Sequence, residues 1–139
     1  MATESIAALL DTNILLALVN PAEPTPDLGD CDEVFVSSLS WAELVRGLHS
    51  SVDLLEYKRR RRNLDRLAEL FGEGVPFGDE CLGSYDLVLD ALAERGKSLR
   101  ANLMDHLIAA TAHTHDLTIV TRDRLGFVGL EEFVPIIER

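Results

Sequence analysis

The segment Ile6-Ala-Ala-Leu-Leu10 is a short apolar run that ends at a carboxylate, Asp11, and is followed by a stretch of helical period. Apolar runs of this length, bounded by polar residues, are typical of buried strands. Similar runs recur at Val34 to Ser37, weakly at Val75 to Phe77, at Thr118 to Thr121 and at Val134 to Ile137. Longer segments of helical period separate them, which indicates βαβ units around a mostly parallel sheet of four to five strands.

The helices between these strands have recognisable ends. The first is predicted over Thr12 to Val19, because Asn20-Pro21 stops it, and the Pro-rich stretch from Pro21 to Asp30 is a predicted loop. The second has Ser40 as its predicted N-cap and Glu43 at the capping-box position. The remaining helices are predicted over about Val52 to Phe71, about Asp79 to Arg95, and about Leu103 to His115 with Asn102 as N-cap.

Length, composition and charge limit the class of protein to which this chain can belong. A chain of 139 residues, of which 47% are hydrophobic, predicts one packed domain over residues 1–139. No apolar stretch approaches the roughly 20 residues of a membrane span, so we expect a soluble, cytoplasmic protein. Cys31 and Cys81 match no ligand spacing and fit reduced thiols. The net charge of −11 disfavours simple phosphate binding and suggests that cations or a basic partner are needed.

Four acidic residues stand where apolar runs break: Asp11 and Asp123 after predicted strands, and Glu43 and Asp105 in the first turns of predicted helices. In a parallel sheet all four would meet at the edge formed by the carboxyl ends of the strands. Any one of them has a structural explanation, since carboxylates favour helix N-termini and turns. Together they would repel one another unless a cation compensated, and an all-oxygen ligand set favours Mg²⁺ or Mn²⁺.

Four motifs carry a resemblance to a known family: Leu9-Leu-Asp-Thr-Asn13, Ser38-Leu-Ser-Trp-Ala-Glu-Leu44, Met104-Asp-His-Leu-Ile-Ala-Ala-Thr-Ala112 and Val120-Thr-Arg-Asp123. In order and spacing they resemble PIN-domain nucleases, and most closely the VapC-type toxins of toxin–antitoxin pairs. The resemblance implies a three-layer α/β/α sandwich and Mg²⁺- or Mn²⁺-dependent endonucleolytic cleavage of RNA. It also implies a homodimer and inhibition by a VapB-type antitoxin.

Carried over by position, the resemblance makes Asp11 and Asp105 the main metal ligands, with Glu43 and Asp123 completing the catalytic pocket. One departure is Gly126, which stands where many relatives carry a further acid and puts a complete second metal site in doubt. Another is the compact loop between Pro21 and Asp30, which is often longer and helical in relatives.

Further residues are assigned supporting roles. Asn13 and Thr121 are candidates to orient the ligand carboxylates, although bonding to the local backbone is an equally good explanation. Arg100, Arg122 and Arg124 flank the predicted pocket and are the candidates for RNA contact. The run Lys58 to Arg62 spreads around a helix and is better explained as a solvated face than as a phosphate grip.

One alternative belongs to a different class of function. A catalytically silent module could keep the fold and hold a basic partner at its acidic edge without cleaving anything. The presence of all four acids favours the nuclease, and metal-dependent turnover would separate the two.

Overall fold

The computed structural model describes residues 5–139. Within that range the main elements are four strands and five α-helices: β1 (Ile6–Leu10), α1 (Thr12–Val19), β2 (Cys31–Val36), α2 (Ser38–His49), α3 (Leu54–Phe71), α4 (Leu82–Glu94), α5 (Leu103–Thr114), β3 (Thr118–Thr121) and β4 (Ile136–Glu138). Short 3₁₀ turns precede α4 at Asp79–Cys81 and follow β3 at Arg124–Phe127.

The strands form one sheet in the order β2-β1-β3-β4, and every neighbouring pair is parallel. Leu10, the last residue of β1, pairs with Val36 and with Val120. The carboxyl ends of these three strands therefore lie side by side at one edge. The predicted parallel sheet is confirmed, with four strands.

Alternate residues of β1 face two separate cores. Leu9 packs with the α4 and α5 residues Leu92 and Ile108 on one face. Leu10 packs with Leu15 of α1 and Leu67 of α3 on the other. Because both faces of the central strands are covered by helices, the strands consist of apolar runs without alternation. The three-layer α/β/α sandwich is confirmed.

Some predicted strands are displaced. β2 begins at Cys31 rather than Val34, and β4 spans Ile136–Glu138 rather than Val134 to Ile137, because Pro135 has no N–H with which to enter the ladder. The predicted strand over Val75 to Phe77 is wrong, since Val75 forms only an isolated bridge to Ser37. Pro76 interrupts the pairing directly after it.

Two predicted helix caps are also corrected. The N-cap of α2 is Ser37, whose hydroxyl accepts the Leu39 N–H at 3.0 Å, and Ser40 lies buried inside the helix. Asn102 does occupy the N-cap position of α5, but its backbone is left-handed (φ 60°) and its side chain makes no capping bond within residues 5–139. The third and fourth helices begin at Leu54 and Leu82, two and three residues later than predicted.

None of the helices in the described part of the chain is both long enough and apolar enough to cross a membrane.

Candidate functional site

Asp11 lies at the carboxyl end of β1 and caps α1. Its Oδ1 accepts the Thr12 N–H at 2.8 Å, and its Oδ2 accepts the hydroxyl of Thr121 at 2.9 Å. The side chain is only 5% exposed. Burial raises the pKa of Asp11, the two hydrogen bonds oppose that effect, and the charges of Glu43 and Asp123 add to it. A carboxylate fixed in this way is held in one orientation.

Asp105 lies in the first turn of α5, as predicted. Burial, together with the charges of Asp11, Glu43 and Asp123, raises the pKa of Asp105 to about 7. The charges of the other three predicted acids therefore act on Asp105, although the four come from separate elements. The sheet edge brings them to one region.

Glu43 reaches this region differently from the prediction. Because α2 begins at Ser38, Glu43 lies in the second turn and has no part in a capping box. Its Oε1 accepts the hydroxyl of Thr12 at 2.7 Å, and the Ser40 hydroxyl lies 3.1 Å from the same Thr12 oxygen. Thr12 thus links α1 to α2. Neither Thr12 nor this contact of Ser40 was predicted from the sequence, and the signal for Thr12 was its place directly after Asp11.

Asp123 follows β3 by two residues and is exposed. Its carboxylate caps the short 3₁₀ turn by accepting the Leu125 N–H at 2.9 Å. Its own N–H donates to the hydroxyl of Thr121 at 3.1 Å. Asp123 is therefore placed by the same threonine that holds Asp11.

Thr121 is the centre of a small buried network. Its hydroxyl donates to Asp11 and accepts the side-chain amide of Asn13 at 3.1 Å as well as the Asp123 N–H. The Oδ1 of Asn13 in turn accepts the Arg122 N–H at 3.1 Å. One donor and two acceptor positions are the full capacity of a hydroxyl. Thr121 contacts the carboxylate of Asp11 directly, whereas Asn13 is linked to it only through Thr121, and the orienting role of both residues stays a prediction.

Gly126 contacts the carboxylate of Asp105 directly. A Cβ built at position 126 would overlap the Oδ2 of Asp105 and lie 2.8 Å from its Cγ. In the sequence, Gly126 stands out only as a missing acidic ligand. The structure gives it a different role, because a side chain at this position would have to displace Asp105.

The three arginines predicted to contact RNA are in different situations. The guanidinium of Arg122 donates to the carbonyl of Pro24, so it ties the Pro-rich loop to the sheet edge. Arg124 is exposed beside Asp123, and Arg100 is exposed in the loop before α5. In the run from Lys58 to Arg62, Arg60 is bound to Glu56 at 2.6 Å and to the carbonyl of Gly47.

The donor set fits a divalent cation. Carboxylate oxygens are the ligands that Mg²⁺ and Mn²⁺ prefer, and here they come from four elements. Burial first, and then the charges of the neighbouring acids, raise the pKa of Asp11 and of Asp105, and a bound cation would offset both effects. Mg²⁺ usually takes one or two carboxylates and keeps several waters, so it does not need a closed cage.

A second group of metal-ligand types lies elsewhere. Over residues 5–139, Glu80, Cys81 and His115 are the one set of three such side chains with ligand atoms all within 4.8 Å of one another. The four acids are therefore spaced more widely than this set. His115 follows the far end of α5, roughly 15 Å along the helix from Asp105. The sequence analysis did not identify this group.

The sequence of the chain is similar to a known protein family and to a known toxin. The model of the PIN domain family matches residues 8–127. Toxin FitB from Neisseria gonorrhoeae is 32% identical over 132 residues, which cover 86% of this chain and 89% of that protein.

Two solved structures extend the likeness to the fold. VapBC-5 from Mycobacterium tuberculosis, a member of the VapBC family of toxin–antitoxin systems, is 27% identical with a TM-score of 0.77, covering 96% of this chain and 98% of that one. FitAcB from Neisseria gonorrhoeae is 27% identical with a TM-score of 0.75, covering 94% and 96%.

Proposed function

The chain belongs to the PIN domain family, and from that premise we propose that it is a Mg²⁺- or Mn²⁺-dependent endoribonuclease acting as the toxin of a toxin–antitoxin pair. The observation that carries the proposal is that Asp11, Glu43 and Asp123 are near enough to Asp105 at the carboxyl edge of the parallel sheet for their charges to raise its pKa. Ligand sites of open α/β sheets lie at this edge.

Asp11 and Asp105 would hold the cation, with Glu43 and Asp123 completing the pocket. When bound, such a cation polarises a phosphate oxygen and lowers the pKa of a coordinated water. The chain's own residues supply orientation: Thr121 fixes one oxygen of Asp11, and Thr12 fixes one oxygen of Glu43. The remaining carboxylate lone pairs of Glu43 and Asp123 are free to orient the attacking water. The reaction needs no nucleophile from the protein.

A bound cation would also reduce the electrostatic repulsion between this acidic chain and RNA. At a net charge of −11, the protein repels RNA at long range, and exposed Arg100 and Arg124 offset this only locally. Neutralising the acidic pocket removes the strongest repulsion at the place where the phosphate must lie. We therefore expect metal binding to precede RNA binding.

The direct test is RNA cleavage by the purified, partner-free chain with Mg²⁺ or Mn²⁺. EDTA and the Asp105→Asn substitution should each lower the rate by ~100-fold or more. Asp86→Asn, at an exposed carboxylate of α4, is the matched control and should cleave like the parent. Cleavage that survives EDTA or Asp105→Asn would refute the proposal. A folded, metal-loaded chain that cuts no cellular RNA would favour the silent binding module instead.

The proposed partner is a VapB-type antitoxin, with the toxin itself a homodimer. This part is supported by similarity to a protein named as a toxin and to a structure named as a member of the VapBC family of toxin–antitoxin systems. Expression of the chain alone should arrest growth, and co-expression of its antitoxin should restore it. Asp105→Asn should abolish the arrest, whereas Asp86→Asn should keep it. Growth arrest by the Asp105→Asn variant would show that toxicity does not depend on this acidic site, and it would contradict the proposed function.

A groove beside the acids suits such an inhibitor. A cavity of about 330 Å³ between α1, α2 and α3 has Leu16, Leu44 and Leu64 in its walls and reaches Thr12 and Glu43 at one end. A segment with apolar side chains in this groove could extend an Arg or Lys toward the carboxylates, where a charge-assisted bond would form. Leu16 is 49% exposed, so Leu16→Glu should weaken antitoxin binding by at least tenfold in calorimetry. Unchanged affinity would exclude the groove.

A further inference from the structure

A second cavity lies against the first turn of α5. It measures about 260 Å³, and its lining includes the polar residues Lys97, Ser98, Asn102 and His106 and the apolar residues Leu125 and Val128. We call it the α5 pocket. His106 follows Asp105 and so projects roughly 100° from it around the helix. The α5 pocket and the acidic site are therefore neighbours with a shared wall.

Gly126 forms part of that shared wall. It lines the α5 pocket and also touches the carboxylate of Asp105. A ligand in the α5 pocket would thus be separated from the predicted metal site by little more than one backbone segment. In a nuclease, the groups that flank the scissile phosphate are the nucleosides of the substrate.

His106 is a buried polar side chain without a protein partner. It is 3% exposed, and its Nδ1 has no hydrogen bond anywhere in residues 5–139. Buried polar atoms in native proteins are nearly always paired, so the unpaired Nδ1 sets His106 apart from the other polar residues that line the pocket. The side chain is held in place by burial, not by hydrogen bonding.

The other polar groups of the α5 pocket also have unused capacity. The Ser98 hydroxyl accepts the N–H groups of Arg100 and Ala101 at 3.2 and 3.3 Å, which leaves its own proton free to donate. Asn102 holds the N-cap position of a twelve-residue helix, yet in the described part of the chain its amide does not cap that helix. Lys97 supplies three N–H donors and no acceptor. The pocket is therefore rich in donors.

We propose that the α5 pocket binds an unpaired guanine base of the RNA, next to the cleaved phosphodiester. Leu125 and Val128 would cover a face of the ring, while Lys97 would donate to the O6 and N7 acceptors that distinguish guanine. Asn102 and His106 would bond the remaining edge. Single-stranded RNA is commonly read in this way, through bases turned out into pockets and bonded along their edges. The inference rests on the proposed ribonuclease function.

The first test maps cleavage sites in a random-sequence RNA pool by sequencing the new 5′ ends. The parent chain should show guanine at one fixed offset from the cut bond. Lys97→Met and Asn102→Ala should each lower that enrichment at least fivefold. Lys58→Met, at an exposed lysine of α3, is the matched control and should keep the parent's preference. Cleavage without a guanine preference, or a preference unchanged in both variants, would overturn the inference.

The second test does not depend on cleavage. GMP and CMP carry the same phosphate, so each is titrated into the parent chain while the histidine ring signals are followed by NMR. The His106 signals are identified by their loss in His106→Gln. GMP should shift them and CMP should not. Equal shifts, or none, would overturn the proposed pocket, whereas a GMP-specific shift in a chain that cuts no RNA would keep the pocket and refute the nuclease.

Discussion

Asp105→Asn should stabilise the metal-free protein, and by more at high pH. The carboxyl of Asp105 has a pKa of about 7 in the folded chain, against an ordinary value of 3.8. The folded state therefore holds a proton that the unfolded state releases between these values. The stability of the parent falls as the pH rises from about 4 to about 7 and is constant above that range. Asparagine carries no charge and escapes this loss.

The size of the effect follows from the same two values. Their full difference corresponds to at most ~4 kcal/mol. Asp105 is only partly buried, and solvent screening of its charge reduces the expected gain to roughly 1–2 kcal/mol near pH 8. Near pH 5.5 the gain should be about half as large, because the folded parent is then mostly protonated.

Urea unfolding in EDTA at the two pH values measures this difference. Asp86→Asn controls for the loss of one negative charge from the chain, since it lies exposed on α4. Added Mg²⁺ should reverse the order near pH 8, because it stabilises the parent by ~1.4 kcal/mol for each tenfold excess over its Kd. A variant that is less stable than the parent near pH 8, or a gain independent of pH, would refute the reasoning.

Three further predictions concern the residues around the acids and the core. Thr121→Val should lower RNA cleavage by 10–100-fold at equal helix content, because it removes the bond to Asp11, whereas Thr121→Ser should retain most of the rate. Gly126→Ala should weaken Mn²⁺ binding in calorimetry by about tenfold, since its Cβ displaces Asp105; unchanged affinity would contradict this contact. Leu67→Ala should lower the free energy of unfolding in urea by about 2–5 kcal/mol and leave cleavage per folded molecule unchanged.

The central strands were the predictable part of the fold. β1, α1 and β3 have the predicted bounds, because each is a buried apolar run or an uninterrupted helical segment with a polar residue at its end. The edge strands were less predictable. β2 begins with Cys31 and two acids, and its pairing is determined by its neighbour β1 more than by its own side chains. The residues of β2 alone therefore do not predict where the strand begins.

The acidic residues of the candidate site were predictable from the sequence, but the hydrogen bonds and contacts that hold them were not. Strand ends and helix starts were sufficient to nominate Asp11 and Asp105, because the carboxyl edge of a parallel sheet is fixed by topology. The link from Thr12 to Glu43 joins residues 31 positions apart, and the contact of Gly126 with Asp105 depends on loop packing. Neither leaves a periodic signal in the sequence. The bond of Arg122 to Pro24 is of the same kind.

The most direct test of the central claim is the number of Mn²⁺ ions that the purified chain binds tightly, counted by electron paramagnetic resonance of the free ion. We expect tight binding that Asp11→Asn and Asp105→Asn abolish and that Cys81→Ala and His115→Ala leave intact. Tight binding that survives both aspartate substitutions, or that disappears with Cys81 or His115, would contradict a metal site built on the acidic edge of the sheet.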